Sequence, residues 1–192
     1  MCKLLPTTYV NPSITCYEPA PQLFSEAKHN LQNIMNCQIK FVNNVTELAV
    51  NGFDIIFCLE VVEHLPVFEL KKVFRSIARA LKPEGIVIIG VPIELGLPAL
   101  YKGIFRMYRR YGSYDATIAN VVNAFMGRPP RRGPVKEICR GFPYYYEHVG
   151  FDHREFLNRC GVDFKILKTS SSPFNWGRGI LMPELNIAMA LQ

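Results

Sequence analysis

Phe53-Asp54-Ile55-Ile56-Phe57-Cys58-Leu59-Glu60-Val61-Val62-Glu63-His64-Leu65, followed by Pro66 and then by Leu70, Val73, Phe74, Ile77 and Leu81, is the stretch that decides the fold. Its first six residues are apolar apart from Asp54, the pattern of a strand covered on both faces. Pro66 opens a helix, because its fixed φ suits the first turn and its missing N–H is one a helix start leaves unbonded. Lys82-Pro83-Glu84-Gly85 is predicted to end that helix, and Ile86 to Val91 reads as a second buried strand. Strand, helix and strand in this order make a right-handed crossover, hence a parallel sheet with helices against it.

Working outward, Ser13 to Tyr17 reads as a strand, and Pro19 and Pro21 open a helix with Leu23, Phe24, Ala27 and Leu31 on one face. Ile39 to Val42 is a further strand. Asp152, with Glu155 three residues on, caps a late helix that Gly161 closes. Val162 to Lys168 and Asn186 to Leu191 are expected to form a final antiparallel pair, joined through Ser170-Ser171-Ser172-Pro173 and Trp176-Gly177. The expected class is α/β, a doubly wound, mostly parallel sheet with an antiparallel last strand, in a single domain over 1–192. Residues 94–147, rich in Gly and Pro, read as an insertion or lid holding helical stretches Leu100 to Tyr111 and Thr117 to Phe125.

Composition narrows the function. With 192 residues, 49% apolar and 20% charged, the chain is neither disordered, collagen-like nor coiled coil. Ile86 to Ile93 is far short of the roughly 18 apolar residues a membrane span needs. The start offers no secretory leader pattern, and six cysteines without a C-x-x-C pair argue against a zinc ribbon or disulfide scaffold. Reduced, mostly buried thiols in a cytoplasmic protein are expected. Nine basic residues against Asp115 and Glu137 lie between Lys102 and Arg140, more than the whole net excess of +6. Basicity is local to the insertion, so any acidic partner belongs there.

In an open parallel sheet, ligands bind beyond the carboxyl ends of the strands. Those ends carry Glu18, Asn43 and Asn44, Leu59 and Glu60, and Pro92 and Glu94. A carboxylate such as Glu18 can accept hydrogen bonds from both hydroxyls of a ribose. The alternative is a helix-start residue favoured by the dipole.

Tyr17-Glu18-Pro19-Ala20 with Glu26-Ala27-Lys28, the run from Phe53 to Leu65 and the Leu81-Lys82-Pro83-Glu84-Gly85-Ile86 turn together resemble the class I S-adenosylmethionine-dependent methyltransferases of the type 11/12 kind, closely over Ser13 to Val91 and loosely at Tyr146 to Asp152. Glu84 departs from the glycine usual in that turn. The resemblance implies S-adenosylmethionine as cofactor. Glu18 would hold its ribose, Pro19 and Ala20 flank the adenine, Asn44 and Val45 meet the adenine edge, and Cys58 and Leu59 pass the methionine portion. Cys58 and Leu59 as plain core, and Asn44 as a turn residue, stay open. The family's glycine-rich loop finds no match before Ser13, and Cys2-Lys3-Leu4-Leu5-Pro6 looks like the end of the helix that follows it. The chain is therefore expected to begin one element late, as an amino-terminal truncation without the first strand.

By the same resemblance His64 and His148 lie near the strand-end face, as candidate catalytic bases for a hydroxyl acceptor. Glu60, Glu63, His64 and His148 also resemble the metal site of some ubiquinone-pathway and small-RNA O-methyltransferases, while metal-free relatives use such a run only for hydrogen bonds; no metal is assigned. His29 and His153 read as solvated. Phe105-Arg106-Met107-Tyr108-Arg109-Arg110-Tyr111 suits a membrane surface or an acidic acceptor, Arg128-Pro129-Pro130-Arg131-Arg132 can track phosphates, and a solvated lid is the plain alternative. The expected function is methyl transfer to a small-molecule or lipid-like acceptor. The alternatives are a non-catalytic interaction module and an RNA methyltransferase, although nothing in the chain matches a nucleic-acid module.

Overall fold

A computed structural model describes residues 2, 4–34, 36–139, 141–173 and 181–192. In chain order the elements are α1 (Leu5–Thr8), β1 (Ser13–Tyr17), α2 (Pro21–Leu31), β2 (Gln38–Val42), β3 (Phe53–Leu59), α3 (Val67–Ala80), β4 (Leu81–Pro92), α4 (Leu97–Arg110), α5 (Ile118–Phe125), β5 (Val135–Cys139), β6 (Phe142–Tyr145), α6 (His153–Asp163), β7 (Phe164–Ser172) and β8 (Glu184–Leu191). Short 3₁₀ turns follow β2 at Val45–Glu47 and β3 at Val62–His64. The chain divides into two compact units, residues 1–50 with 138–142, and residues 51–137 with 143–192.

In the first unit β1 and β2 pair in parallel, from Ser13 opposite Gln38 to Tyr17 opposite Val42. Helix α2 makes the crossover between them. Ile14, Ala20 and Val42 are the buried apolar residues described in this unit, and Phe24 on α2 meets Phe41 on β2 edge to face at 6.5 Å. Ring pairs at this distance add to the apolar area they remove from water.

The second unit holds a sheet in the order β3-β4-β8-β7. β3 and β4 run parallel, and β8 is antiparallel to both β4 and β7, so β8 alone is reversed. This is the expected parallel sheet with an antiparallel last strand. Val87, Ile89 and Val91 alternate along β4 and are fully buried, each fixing its neighbours to the opposite face. They share a core with Phe74 of α3, Phe156 of α6 and Phe164 of β7, the Phe74 and Phe164 rings perpendicular at 5.4 Å. Full burial of each such side chain is worth roughly 1.5–3 kcal/mol.

Several expectations are corrected. Lys82 to Gly85 do not form a separate turn: α3 ends at Ala80 and β4 starts at once, with the pairing jumping from Phe53–Leu81 to Ile55–Ile86. Pro83 pushes Lys82 toward extended backbone, and a Cβ at Gly85 would lie 2.7 Å from the Leu81 side chain. Strand β3 is half-buried rather than covered on both faces, having one paired neighbour among the described residues. Gly161 does not close α6, which runs to Asp163, so β7 starts at Phe164 and takes in Ser170 to Ser172. The strands β5 and β6, which form a two-stranded sheet inside the supposed lid, were not foreseen. Of the six thiols only Cys160 is buried, the others being half-buried, and no disulfide joins any of them among the described residues. The Trp176-Gly177 part of the last connection lies outside the described residues.

Candidate active site

Each unit carries part of the residue set that the sequence singled out. In the first, Glu18 follows β1 and its backbone N–H bonds to the Val42 carbonyl. Its Oε1 accepts the Ala20 N–H at 2.9 Å, which fixes the carboxylate at the start of α2 and occupies one of its two oxygens. Pro19 is half-buried and Ala20 is buried. Asn44 is exposed and caps the turn after β2, its Oδ1 accepting from Thr46 N at 3.0 Å and Thr46 Oγ1 at 2.9 Å. The turn-residue alternative thus describes its side-chain oxygen. Val45 is half-buried in that turn.

In the second unit Cys58 and Leu59 end β3. Cys58 packs on the hydrophobic core, and burial pushes its thiol up to about 12, so it stays an uncharged sulfhydryl. Glu60, next, takes a left-handed φ of 54° while its N–H bonds to the Gly90 carbonyl at 3.1 Å. A left-handed non-glycine residue is costly and marks a turn that surrounding contacts enforce. That turn leads into Val62–His64, whose three side chains are buried.

His64 and His148 come together although 84 residues apart. The His64 Nδ1–H donates to the Tyr145 carbonyl at 2.6 Å, since a carbonyl can only accept. The lone pair of neutral His64 is therefore on Nε2, which accepts from His148 Nε2–H at 3.0 Å. This chain leaves the remaining lone pair of His148 on Nδ1, 4.0 Å from Glu94 Oε1. Tyr144 stacks on the His64 ring at 4.4 Å with 9° between planes, so the imidazole has one orientation. Burial lowers both histidines, that of His148 to about 4, with His64, Arg106 and Lys102 adding to it; both rings are neutral near pH 7.

Glu63 completes the cluster. It is fully buried, and neither oxygen has a hydrogen-bond partner among the described residues. Burial, with the Glu60 carboxyl adding, pushes it up to about 8. Its Oε1 lies 3.5 Å from His64 Nε2 and 4.0 Å from His148 Nε2. Ligand atoms of Glu63, His64 and His148 all fall within 4.8 Å of one another. Tetrahedral coordination at ordinary zinc–nitrogen distances has edges of about 3.4 Å. The set therefore fits a divalent cation, although the sequence assigned none.

Residues that the sequence missed hold this cluster in place. Arg132, read as a phosphate tracker, turns inward: its Nη2 donates to the Glu63 carbonyl and its guanidinium lies 4.2 Å from the centre of the Tyr145 ring. Glu94, only 3% exposed, accepts from Arg106 at 2.8 and 2.9 Å and from Lys102 at 3.0 Å. Burial alone would raise its carboxyl, but Arg106 and Lys102 hold it below the usual range. Arg110 bonds buried Asp115 at 2.6 Å. Much of the insertion's charge is thus internal, and a signal existed in Glu94 and Asp115, the acidic residues nearest those cations in sequence. His29 is exposed as expected, but His153 is half-buried with its Nδ1 unpartnered among the described residues, and burial lowers it.

Residues 1–89 match the family model described as methyltransferase domain. No curated protein matches the chain. A protein of Pyrococcus horikoshii is similar in structure, at TM-score 0.54 and 12% identity, over 94% of this chain and 72% of that one. An S-adenosylmethionine-dependent methyltransferase from Clostridium acetobutylicum matches at TM-score 0.58 and 12% identity, over 98% of this chain and 77% of that one. The 1,6-didemethyltoxoflavin-N1-methyltransferase of Burkholderia thailandensis, solved with 1,6-didemethyltoxoflavin and S-adenosylhomocysteine, matches at 0.51 and 13%, over 100% and 76%. At such identities these likenesses establish the fold.

Proposed function

We infer that this chain, which has the class I S-adenosylmethionine-dependent methyltransferase fold and matches a methyltransferase domain over residues 1–89, is an enzyme that moves the methyl of S-adenosylmethionine to the hydroxyl of a small-molecule or lipid-like acceptor. The observation that carries this reading is the position of Glu18. It follows β1 directly, its carboxylate is pinned by the Ala20 N–H, and it lies within the stretch that matches the family. A pinned carboxylate meets a ribose diol without first losing side-chain freedom. Within the first unit, Pro19, Ala20, Asn44 and Val45 would line the adenine.

Methyl transfer from a sulfonium is an in-line displacement, which needs alignment and a dry site. A hydroxyl acceptor must also lose its proton. His148 would take it at Nδ1, where the hydrogen-bond chain from Tyr145 through His64 leaves the lone pair. The imidazolium so formed has Glu94 4.0 Å away to offset its charge. His64 holds and orients His148.

Calorimetric titration with S-adenosylhomocysteine tests the cofactor site. Saturable binding that weakens at least tenfold in Glu18→Ala supports the reading, and no binding by the intact chain refutes it in favour of a non-catalytic module.

A second reading is favoured by the unpartnered Glu63 oxygens. A divalent cation held by Glu63, His64 and His148 would act there as a Lewis acid on the acceptor oxygen. Cobalt(II) would report it directly by a visible absorption band that His148→Ala abolishes. An unchanged spectrum on adding the ion leaves only the proton-transfer role.

A further inference from the structure

We propose that the α4–α5 pair is a docking surface for an anionic lipid bilayer. Along α4, Ile104, Phe105 and Tyr108 point to solvent, Tyr108 being 89% exposed; Val122 and Phe125 of α5, with Met126 that caps it, do the same. Each trio recurs at the three- and four-residue spacing of one helical face. The opposite faces hold α4 to the protein through Lys102 and Arg106 on buried Glu94, and α4 to α5 where Gly103 backs directly onto Val121. The apolar face is therefore outward by construction, not through loose attachment.

Charge selects the occupant. From Leu97 to Arg132 the only carboxylate is Asp115, which is 4% exposed and taken by Arg110 and Arg106. Arg109, Arg128 and Arg131 are exposed. The Arg109 guanidinium lies 5.6 Å from the centre of the exposed Phe105 ring, so cation and aromatic share one surface. Aromatic and apolar residues flanked by cations, with no exposed anion within 97–132, match the headgroup layer of an acidic membrane. A second copy meeting this face about a two-fold axis would bring like charges together, and a nucleic acid would set phosphates against the apolar face. Among the described residues no helix is long and apolar enough to cross a membrane. At 14 residues, α4 is about 21 Å long and suits lying in the interface.

The test is co-sedimentation of the full chain with phosphatidylcholine vesicles, with and without phosphatidylglycerol. It needs no cofactor, so it fails or succeeds independently of the methyltransferase reading. Binding only to the anionic vesicles, falling as salt is added, is expected. Phe105→Ser with Tyr108→Ser should lower the partition by about tenfold or more, from the apolar burial lost, with unchanged circular dichroism. Arg109→Gln should weaken it less and flatten its salt dependence. No partition into anionic vesicles, or equal partition of the double variant, overturns the proposal. So does a dimer in light scattering that the double variant dissociates, since the face then belongs to a second copy.

Discussion

Replacing Glu94 by glutamine isolates the ionic cluster that ties α4 to the end of β4. The wild-type carboxylate receives two bonds from Arg106, at 2.8 and 2.9 Å, and one from Lys102 at 3.0 Å. In the variant Lys102 keeps the carbonyls of Ile93 and Pro183, at 3.1 and 2.9 Å. Arg106, whose side chain is 18% exposed, keeps only a 3.7 Å approach to Asp115. Removing one partner of a buried pair costs about 3–5 kcal/mol, because the other charge stays desolvated. Glutamine still offers one acceptor, so about 3 kcal/mol is expected. Urea unfolding at neutral pH reads it as a fall of roughly 1.5 M in midpoint, taking a slope of about 2 kcal/mol per molar. Adding Arg106→Met removes the stranded cation, so the double variant should lose at least about 1 kcal/mol less than the sum of the singles. The carboxyl of Glu94 titrates lower folded than unfolded, so its contribution is present above the unfolded value and is lost as pH falls through the folded one. The gap between wild type and variant should therefore close in acid, below pH of about 4. A loss under about 1 kcal/mol, strict additivity, or a gap that widens in acid would refute the account.

Three more outcomes follow from the same structure. Gly103→Ala would put a Cβ 2.5 Å from Val121 Cγ2, costing about 1–3 kcal/mol in thermal unfolding, and Val121→Ala in the same chain should recover most of it. Asp152→Ala removes the oxygen that accepts from Arg154 N at 2.9 Å and Glu155 N at 3.4 Å, and should cost about 1 kcal/mol by urea titration while Asp152→Asn costs little. If His148 is the proton acceptor, its lowered pKa, about 4, puts the acid limb of kcat/KM near that pH in chelator-treated enzyme; a limb near the ordinary histidine value would remove His148 from the role.

The elements were legible because their signals are local. Pro21 starts α2 and Pro66 precedes α3, the apolar spacing from Leu70 to Ile77 fixes the face of α3, and Asp152 caps α6, all within a few residues of where each acts. The acidic residue after β1 and the histidine after β3 could be picked out for the same reason. Boundaries failed where a residue with two uses, such as Gly161 or the Lys82-Pro83 pair, was assigned the commoner one. What the tertiary structure alone decided is which partners meet: Arg132 at the Glu63 carbonyl, His148 against His64, and Lys102 and Arg106 on Glu94. Pairings across up to 84 residues leave no periodic trace in a sequence, because they depend on where the backbone turns. The cost of burying a charge then selects whichever opposite charge or carbonyl lies within reach, so Arg106 and Arg132, which read as contacts for an acidic partner and for phosphates, became internal supports of the site.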